Sequence, residues 1–480
     1  MNCLLIKCHA PTLFRLFNPI VTEPLELEYL AALLSEFGIA WRIHDRLLDR
    51  QSLRRLLTTW PADVYLLSGY NTAVPELLAT ARRIRKTAPT ALIVAGGVQA
   101  ELCPEDFFIT EIDLVFRSDA LCSLRALLNK LIMQKQGSEP AGSGIATIGS
   151  ACSKAVRSDS AAYAEPAAAA GSAASSLPRR DELRSVYTSI LAEIPGLCWQ
   201  DGHGWHQNAN LAAAAPVALL PDRAYLYELR RRTHYLEHRP VALLKAALSC
   251  PYSCSFCCCC QLNAGKYLSR DAVTVLKEIR TLKIDTVWLV DDCLFTTRAQ
   301  AEVWLAELRR LQWHRPKHII AYIRADFAAA NPDILAELAD YGFREWIIGL
   351  EAVSGRELLA MNKQVDEDQN RRAVQAVFAA GARLMALFLV GPETDRAGFA
   401  RLRRWIYRNG IRDFTVSLFT PLRGSRDYTQ WEAKLLTKKP HHFDFLHLVV
   451  RPLKLPYWLF LLEFWRLHLI SLLRSTHRVK

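Results

Sequence analysis

Three cysteines share one short loop in this 480-residue chain, at Cys250, Cys254 and Cys257. The loop follows an apolar run, residues 241–247, which predicts a buried strand. Thiolates are the usual ligands of iron–sulfur clusters, and three of them leave one iron of a four-iron cluster without a protein ligand. An open position is what a metal needs to bind a substrate. The spacing therefore predicts a [4Fe-4S] cluster at the end of a strand.

A structural zinc site is the alternative for these cysteines. Such a site normally has four ligands, commonly as two separated pairs, and no second pair follows at the spacing of a zinc finger. Three more cysteines continue the run, at Cys258, Cys259 and Cys260. They do not fit the same spacing, and we expect small buried side chains there. A second cluster is an unsupported alternative.

Cysteine usage and charge restrict the compartment and the partners. The chain has 13 cysteines, and its start lacks the apolar stretch of a secretion signal, which favours metal or redox chemistry in a reducing cytoplasm. A net charge of +12 suits nucleic acid, a membrane surface or an acidic partner. Because no nucleic-acid motif accompanies the charge, nucleic acid is not expected. No apolar run reaches the roughly eighteen residues of a spanning helix.

The first part of the chain alternates strands with helices. Residues 1–134 contain candidate strands at 3–6, 64–68, 91–95 and 114–116, separated by helical patterns at 25–37, 75–86 and 121–131. This alternation predicts a doubly wound, Rossmann-like α/β domain that binds ligands at the carboxyl ends of its strands. Residues 135–181 are rich in Ala, Ser and Gly and are interpreted as a linker or insertion. Residues 182–235 are interpreted as a connecting segment.

A second alternating pattern covers residues 236–430. Its candidate strands are 241–247, 286–290, 318–323, 345–350, 384–390 and 414–419. Six βα units predict a partial (β/α)6 TIM-like barrel, with chemistry at the carboxyl ends of the strands. Residues 431–480 are predicted to form a helical C-terminal extension.

The cysteine loop resembles that of the radical S-adenosylmethionine (radical SAM) superfamily, in which an aromatic residue precedes the last cysteine. Phe256 has that place here. The resemblance continues, in order, at the ends of the following barrel strands. It implies that Phe256 lies beside the adenine and that the methionine and ribose parts of the cofactor are held by Asp291, Asp292, Arg324, Glu351 and Gly391. Helix capping, surface ion pairing and a tight turn are the structural alternatives for these residues.

The first domain resembles the cobalamin-binding domain that precedes the barrel in one radical SAM subfamily. The resemblance lies in two strand-end stretches, which it implies contact cobalamin: Ser68, Gly69, Tyr70, Asn71 and Thr72, then Gly96, Gly97 and Val98. Residues 116–119 depart from the family's more acidic, Gly-rich turn. The Asp-x-His-x-x-Gly motif that supplies a cobalt ligand elsewhere is absent. A doubly wound domain that binds another nucleotide, or none, is the alternative.

The C-terminal extension carries an apolar stripe at helical spacing: Trp458, Leu462, Trp465, Leu469 and Leu472. One interpretation is a helix that lies in a membrane interface, with aromatic and basic anchors. The other, which the frequency of such stripes in protein cores favours, is a helix whose stripe packs on the barrel or covers its mouth. The expected localisation is cytoplasmic, with peripheral membrane contact under the first interpretation.

The resemblance implies a cobalamin-dependent radical SAM methyltransferase. Such an enzyme forms a 5′-deoxyadenosyl radical and transfers a methyl group from methylcobalamin to an unactivated carbon of a small-molecule or lipid-like substrate. It also implies an electron donor such as a ferredoxin or flavodoxin. Rivals are a cyclase or rearrangement enzyme of the same architecture and a non-catalytic cobalamin-binding module. An RNA methylthiotransferase fits the charge, but the remaining N-terminal cysteines do not resemble a second cluster site.

Overall fold

A computed structural model describes residues 2–10, 19–117, 119–135, 178–210, 213, 219–313 and 317–476. Most of the predicted linker, residues 136–177, lies outside these ranges, as does Ser118 of the departing turn. The chain divides into two compact units between Thr233 and His234, and residues 262–264 belong to the first.

The first unit is built on a seven-stranded sheet in the order β3-β1-β4-β5-β6-β7-β8. The strands of this unit are β1 (Asn2–Lys7), β2 (Ile20–Val21), β3 (Ala40–Asp45), β4 (Val64–Ser68), β5 (Leu92–Gly96), β6 (Leu114–Phe116), β7 (Leu197–Gln200) and β8 (Trp205–Gln207). Its helices are α1 (Leu25–Glu36), α2 (Leu53–Thr59), α3 (Val74–Thr87), α4 (Val98–Leu102), α5 (Ala120–Lys135), α6 (Arg180–Ser185), α7 (Thr188–Ala192) and α8 (Ala224–Leu229).

Apolar side chains on the two faces of this sheet form two separate cores. Leu5 faces the core that contains apolar side chains of α1 and α5, whereas Leu4 faces the core that contains those of α2 and α3. Successive side chains of a strand point to opposite faces, so a continuous apolar strand requires helices on both sides. The first five strands of the order are parallel, which confirms the predicted doubly wound architecture.

The segment 182–235 contributes more than a connection. β7 pairs antiparallel with β6, and β8 pairs antiparallel with β7, so both extend the first sheet. All four residues of β7 are buried. The sequence patterns did not predict these strands, because runs of three or four residues are too short to show periodicity.

The second unit contains a six-stranded parallel sheet in the order β10-β13-β14-β15-β16-β17. The strands of this unit are β9 (His234–Tyr235), β10 (Val241–Leu244), β11 (Ala247–Leu248), β12 (Leu268–Ser269), β13 (Thr286–Leu289), β14 (His318–Arg324), β15 (Phe343–Glu351), β16 (Arg383–Val390) and β17 (Asp413–Leu418). Its helices are α9 (Ala272–Thr281), α10 (Arg298–Arg310), α11 (Ala325–Ala330), α12 (Pro332–Asp340), α13 (Gly355–Ala360), α14 (Glu367–Ala379), α15 (Arg396–Arg408), α16 (Arg426–Trp431) and α17 (Tyr457–Thr476).

Several barrel helices begin at a polar side chain that the sequence places just after a strand–loop segment. Asp271, Thr297, Asp366 and Asp395 each accept a hydrogen bond from a backbone N–H of the first turn. Such caps satisfy donors that the helix itself leaves unpaired. Because strand order follows chain order, every strand delivers its carboxyl end to the same edge of the sheet, as the predicted partial barrel requires.

The first barrel strand is shorter than predicted. Residues 241–247 form no continuous strand: β10 ends at Leu244, and Ala247–Leu248 pairs antiparallel with β12. The backbone N–H groups of Ala246 and Ala247 both donate to Asp291 Oδ1, at 2.7 Å. These two N–H groups are therefore bonded to a carboxylate instead of to a neighbouring strand, and the chain leaves the sheet before the cysteine loop.

The C-terminal helix α17 packs on the second unit through a different face from the one expected. Phe460, Phe464 and Leu467 are its buried apolar residues, whereas the predicted stripe, from Trp458 to Leu472, is exposed. Both faces of α17 are apolar, so hydrophobic periodicity alone cannot distinguish the packed face. In the described part of the chain, none of the helices has the length and apolarity needed to cross a membrane.

Candidate functional site

The cysteine loop is held by polar contacts from two distant segments of the second unit. Ser255 N donates to Met361 O at 2.9 Å, and the side chain of Asn362 donates to Ser253 O at 2.8 Å. The Ser255 hydroxyl also donates to Asp427 Oδ2 at 3.1 Å. A loop with little regular structure is therefore fixed by partners that follow β15 and β17.

The three predicted ligand thiols lie close enough to influence one another. The pKa of Cys250 is raised to about 11, mainly by burial and to a smaller extent by the neighbouring Cys257 and Cys254. Burial likewise raises the pKa of Cys254, against the opposing effects of Lys363 and Arg324. Three partly buried thiols that oppose one another's ionisation favour a shared cation as partner, since a metal deprotonates its thiol ligands outright. The donor set fits an iron–sulfur cluster.

Arg324, the last residue of β14, lies at the cysteine loop. Its Nη1 is 3.8 Å from Cys254 Sγ, and its guanidinium carbon is 3.7 Å from the centre of the Tyr252 ring. Nη2 donates to Lys363 O at 2.6 Å, and the side chain also pairs with Asp326. The guanidinium therefore places a fixed positive charge beside the Cys254 thiol and does not behave as a mobile surface cation.

Glu351 and Lys363 form a buried ion pair next to the same loop. Lys363 Nζ lies 3.0 Å from Glu351 Oε1, and both side chains are at most 13% exposed. Gly349 has no room for a side chain because the Glu351 carboxylate occupies that space. Lys363 is also 6.0 Å from the centre of the Phe256 ring. Sequence analysis did not select Lys363 or Tyr252 as site residues, although Tyr252 lies in the cysteine loop and Lys363 follows the end of β15.

The remaining predicted barrel residues have different environments. Asp291 is buried, its Oδ1 holds the two backbone N–H groups that precede the cysteine loop, and burial raises its pKa to about 6. Asp292 Oδ2 lies 4.0 Å from Lys245 Nζ, and within the described part of the chain Oδ2 of each aspartate has no hydrogen-bond partner. Gly391 follows β16, and its N–H donates to the Thr394 hydroxyl at 3.1 Å. The hydrogen bonds of Asp291 therefore fix the backbone that precedes the cysteine loop.

The additional cysteines differ in their burial. Cys258 is buried, whereas Cys259 and Cys260 are half-buried. The backbone N–H of Cys259 lies 3.4 Å from Cys257 Sγ, a donor aimed at one of the predicted ligands. Hydrogen bonds to cluster sulfurs tune the reduction potential of a cluster.

In the first unit, the order of the sheet reverses between β1 and β4, which places a crevice at their carboxyl ends. Lys7 and Ser68 are register partners there. Lys7 pairs with Glu26, and the Ser68 hydroxyl donates to the same carboxylate at 2.9 Å. Tyr70, whose ring centre is 4.5 Å from Lys7 Nζ, is 60% exposed at this edge. The predicted residues Ser68 and Tyr70 thus meet Lys7 and Glu26, which sequence patterns did not single out.

Two glycines bring backbone segments into close contact at this crevice. A Cβ at Gly97 would lie 3.2 Å from both Gly69 O and Ser68 Oγ, and Gly97 has a φ of +103°. A Cβ at Gly69 would lie 3.0 Å from that of Ala73. Asn71 and Thr72 continue the loop as a short 3-10 turn, and Val98 begins α4 beyond Gly96. The bare backbone and adjacent hydroxyls fit a large ligand with a nucleotide tail.

Comparison with protein families matches both units. Residues 20–125 match the B12 binding domain, and residues 247–406 match the radical SAM superfamily. These two matches confirm the predicted cofactor classes, namely cobalamin for the first unit and a [4Fe-4S] cluster with S-adenosylmethionine for the second.

Individual proteins show the same combination. The chain is 23% identical over 441 residues to the hopanoid C-3 methylase of Methylococcus capsulatus, across 90% of this chain and 73% of that protein. The structure of the radical SAM methyltransferase TsrM from Kitasatospora setae, with cobalamin and a [4Fe-4S] cluster bound, aligns with a TM-score of 0.64 at 16% identity, over 95% of this chain and 83% of TsrM.

A second solved structure aligns over a smaller share of its own length. The cobalamin-dependent radical enzyme OxsB, with aqua-cobalamin and S-adenosylmethionine bound, aligns with a TM-score of 0.58 at 16% identity. The alignment covers 84% of this chain but 51% of OxsB, so the chain spans about half the length of that protein. At such identities the structural likeness establishes the fold. The two family matches show that the chain combines an N-terminal B12 binding domain with a radical SAM domain, the architecture of a cobalamin-binding radical SAM iron–sulfur enzyme.

Proposed function

We propose that this protein is a cobalamin-dependent radical SAM methyltransferase that methylates an unactivated carbon of a small-molecule substrate. One observation carries the proposal: a B12-binding match and a three-cysteine loop at the carboxyl edge of a radical SAM barrel occur in one chain. The relatives named as a methylase and a methyltransferase support the same reaction.

In this proposal Cys250, Cys254 and Cys257 hold the cluster through their sulfurs. When bound, the cofactors supply the reducing electron, the radical precursor and the transferable methyl group. The Glu351–Lys363 pair offers a carboxylate and an ammonium, the groups that complement an amino acid such as the methionine part of S-adenosylmethionine. Phe256 contributes an aromatic face for the adenine.

Three further barrel residues have supporting roles in the proposal. Arg324 holds a positive charge at Cys254. Asp291 shapes the backbone before the cysteine loop, and Asp292 offers an oxygen that has no hydrogen-bond partner in the described segments. Gly391, where a Cβ would meet no atom within 4 Å, leaves the end of β16 open for a ligand.

In the first unit, we propose that cobalamin lies at the carboxyl edge of β1, β4 and β5. Ser68 and Thr72 offer hydroxyls, Asn71 an amide, and Tyr70 an exposed ring at this edge. Gly69, Gly96 and Gly97 leave the backbone bare, and Val98 adds an apolar side chain beside them. This arrangement suits contacts to both the ring and the nucleotide tail of a large ligand.

Methyl-labelled S-adenosylmethionine tests the reaction class. After anaerobic reconstitution with iron, sulfide and hydroxocobalamin, the enzyme is supplied with reductant and a panel of hydrophobic candidate substrates. Label in the product together with 5′-deoxyadenosine supports methyl transfer. Deoxyadenosine with an unlabelled, rearranged product would replace the proposal by the cyclase alternative. Absence of deoxyadenosine from a protein that retains both cofactors would favour a non-catalytic cobalamin-binding module.

We further propose a lipid-like substrate that is reached at a membrane surface. The support is α17, whose outward face carries Trp458, Leu462, Leu469 and Leu472, each more than half exposed. A contiguous exposed apolar face of this kind marks a site of interaction with a membrane or with another protein. Hopanoids, to which the name of the Methylococcus capsulatus relative refers, belong to the same hydrophobic class.

Basic residues accompany this apolar face. Arg451, Lys454 and Arg466 are exposed on or just before α17, and Arg401 and Arg404 are exposed on the neighbouring helix α15. Aromatic anchors with flanking cations are typical of helices that lie in the interface of an anionic membrane. The opposite face of α17 is anchored on the unit by Phe460 and Phe464.

Liposome sedimentation tests the membrane contact. We expect the full chain to sediment with vesicles that contain anionic lipid, less so at high salt, and the variant W458S/L462S/L469S to stay in the supernatant. The control V303S/L359S/F378S removes three exposed apolar side chains from other helices of the same unit. If the two variants sediment equally, the proposed membrane surface is wrong.

The electron donor proposed for this enzyme is an acidic protein such as a ferredoxin or flavodoxin. The chain's net charge of +12 supports it, because opposite charges accelerate association. Reduction of the cluster by such a donor should slow steeply as the salt concentration rises, whereas reduction by a small uncharged reductant should not.

A further inference from the structure

Two histidines and a glutamate meet in the second unit at the amino-terminal edge of its sheet. His238 precedes β10, His318 is the first residue of β14, and Glu345 lies near the start of β15. One ligand atom of each lies within 4.8 Å of the others. His238 Nε2 is 3.2 Å from Glu345 Oε2, and the two imidazole rings are 4.5 Å apart.

Two of these side chains hold buried atoms without partners. Among the residues that the structure describes, His318 Nε2 and Glu345 Oε1 have no hydrogen-bond partner, and the Glu345 side chain is 1% exposed. An unpaired buried carboxylate oxygen is costly unless a cation or donor satisfies it.

Neither neutral tautomer of His238 satisfies both of its contacts with the protein. Its Nε2 lies 3.2 Å from an acceptor, Glu345 Oε2, and 3.3 Å from a donor, Arg383 Nη1. If Nε2 carries a proton, it opposes the arginine; if it does not, it opposes the carboxylate. A cation shared by the imidazole and the carboxylate would satisfy both lone pairs, since metals bind neutral imidazole.

Charge balance leaves room for a divalent cation. Arg383 contacts Glu345 Oε2 at 3.3 Å, and it also pairs with Glu237 and with Asp413. Three carboxylates therefore surround one guanidinium, and the arginine engages the glutamate oxygen opposite the unpaired Oε1. Arg383 thus orients Glu345 while leaving one oxygen for a metal.

We propose that His238, His318 and Glu345 bind a zinc ion, with water as the fourth ligand. Two imidazoles and one carboxylate are a ligand set that zinc accepts. The ligand atoms of a tetrahedral zinc ion lie about 3.3 Å apart, so the three side chains need to close by roughly 1–1.5 Å. Rotation of partly exposed imidazoles supplies a movement of this size.

This ion is separate from the iron–sulfur cluster. His318 begins β14 and Arg324, which contacts Cys254, ends it. Six strand steps of about 3.3 Å place the two ends roughly 20 Å apart. The zinc ion would fasten the segment before β10 to β14 and β15, and so support the strand that leads to the cysteine loop.

Metal analysis of the cluster-loaded protein tests the site. The protein is reconstituted to full iron content, so that the cysteines are occupied, then dialysed against zinc, and iron and zinc are counted together. We expect one zinc per chain in the wild type and about 100-fold weaker binding in H318A and E345Q. Cobalt(II) in place of zinc should show the intense visible absorption of a tetrahedral ion.

The double variant H441A/H442A is the control, because it removes another pair of neighbouring imidazoles in the same unit, 4.4 Å apart. It should keep the zinc. Loss of zinc in this control, its retention in H318A, or no zinc in the fully iron-loaded wild type would each overturn the proposal. If H318A is unstable, the wild type decides: a chelator should lower its melting temperature, but not that of E345Q.

Discussion

Arg324 Nη1 lies 3.8 Å from Cys254 Sγ, at the junction of a barrel strand and the cysteine loop. The guanidinium is held there by Tyr252, Asp326 and the carbonyl of Lys363, and the residue is only 7% exposed. If Cys254 binds the cluster as proposed, a buried cation fixed beside its sulfur would stabilise the added negative charge of the reduced cluster.

R324Q should therefore lower the reduction potential of the cluster. A hydrogen bond to a charged group is worth about 1.5–3 kcal/mol, which converts to a shift of about 65–130 mV for one electron. A redox titration followed by electron paramagnetic resonance measures the shift. R324K, which retains the charge, should shift the potential less. An unchanged potential in R324Q would refute the electrostatic role of Arg324.

Iron content should distinguish the three proposed ligands from the cysteines beside them. Serine at Cys250, Cys254 or Cys257 should each abolish the four-iron cluster, because each proposed ligand binds a different iron. Serine at Cys258 or Cys260 should leave iron and sulfide content unchanged. Iron analysis and the visible absorbance of the reconstituted proteins provide the measurement. Full iron content in C257S, with loss in C260S, would require another set of ligands.

G97A should weaken cobalamin binding by about tenfold or more. Its Cβ would meet Gly69 O and Ser68 Oγ at 3.2 Å, and Gly97 has a φ of +103°. The strand ends must then move apart where cobalamin is proposed to lie. G38A is the matched control, since Gly38 also has a positive φ, +66°, but open space around it. Retention of cobalamin after gel filtration compares them; equal loss in both variants would indicate general destabilisation.

D291A should destabilise the second unit by about 2–6 kcal/mol. Asp291 Oδ1 accepts hydrogen bonds from Ala246 N and Ala247 N, and each buried donor left unpaired costs about 1–3 kcal/mol. D291N retains an acceptor oxygen and should lose less. Denaturant unfolding of the two variants measures the difference. If D291N and D291A are equally unstable, the negative charge matters more than the two hydrogen bonds.

The docking of α17 should weaken in mild acid. His468 Nε2 donates to Val416 O at 2.9 Å, and burial lowers the pKa of this histidine below its ordinary value of 6.5. A lowered pKa means that the undocked helix binds the proton more readily. Docking is therefore strongest above pH 6.5 and is lost progressively as the pH falls below it. Hydrogen exchange of α17 peptides at pH 7.5 and 5.5 measures this change.

H468Q is the control for that experiment, because an amide can donate to the same carbonyl but does not titrate in this range. The protection of its α17 peptides against exchange should be the same at pH 7.5 and 5.5, after correction for the intrinsic exchange rates. A pH dependence equal to that of the wild type would assign the effect to another group.

The cysteine spacing predicted an iron–sulfur cluster, the family resemblance added S-adenosylmethionine and cobalamin, and the alternation of strands and helices predicted both α/β architectures. The spacing of Cys250, Cys254 and Cys257 restricts the ligand chemistry whatever surrounds it. Long strands such as β14 and β16 are recognisable from their continuous apolar runs, and most residues of β14 are buried on both faces of the sheet. The short strands β7 and β8 were missed because their pairing partners, rather than their own patterns, make them strands.

Tertiary structure alone decided which side chains meet. Lys7 and Ser68 are 61 positions apart and become partners only through the strand order, which also creates the crevice beside them. His238, His318 and Glu345 converge from three segments whose separate sequences show no metal motif. For α17, two apolar faces compete for one surface, and the fit of Phe460 and Phe464 to the unit selects the buried face. Sequence determines what each residue can do, whereas packing decides where it can do it.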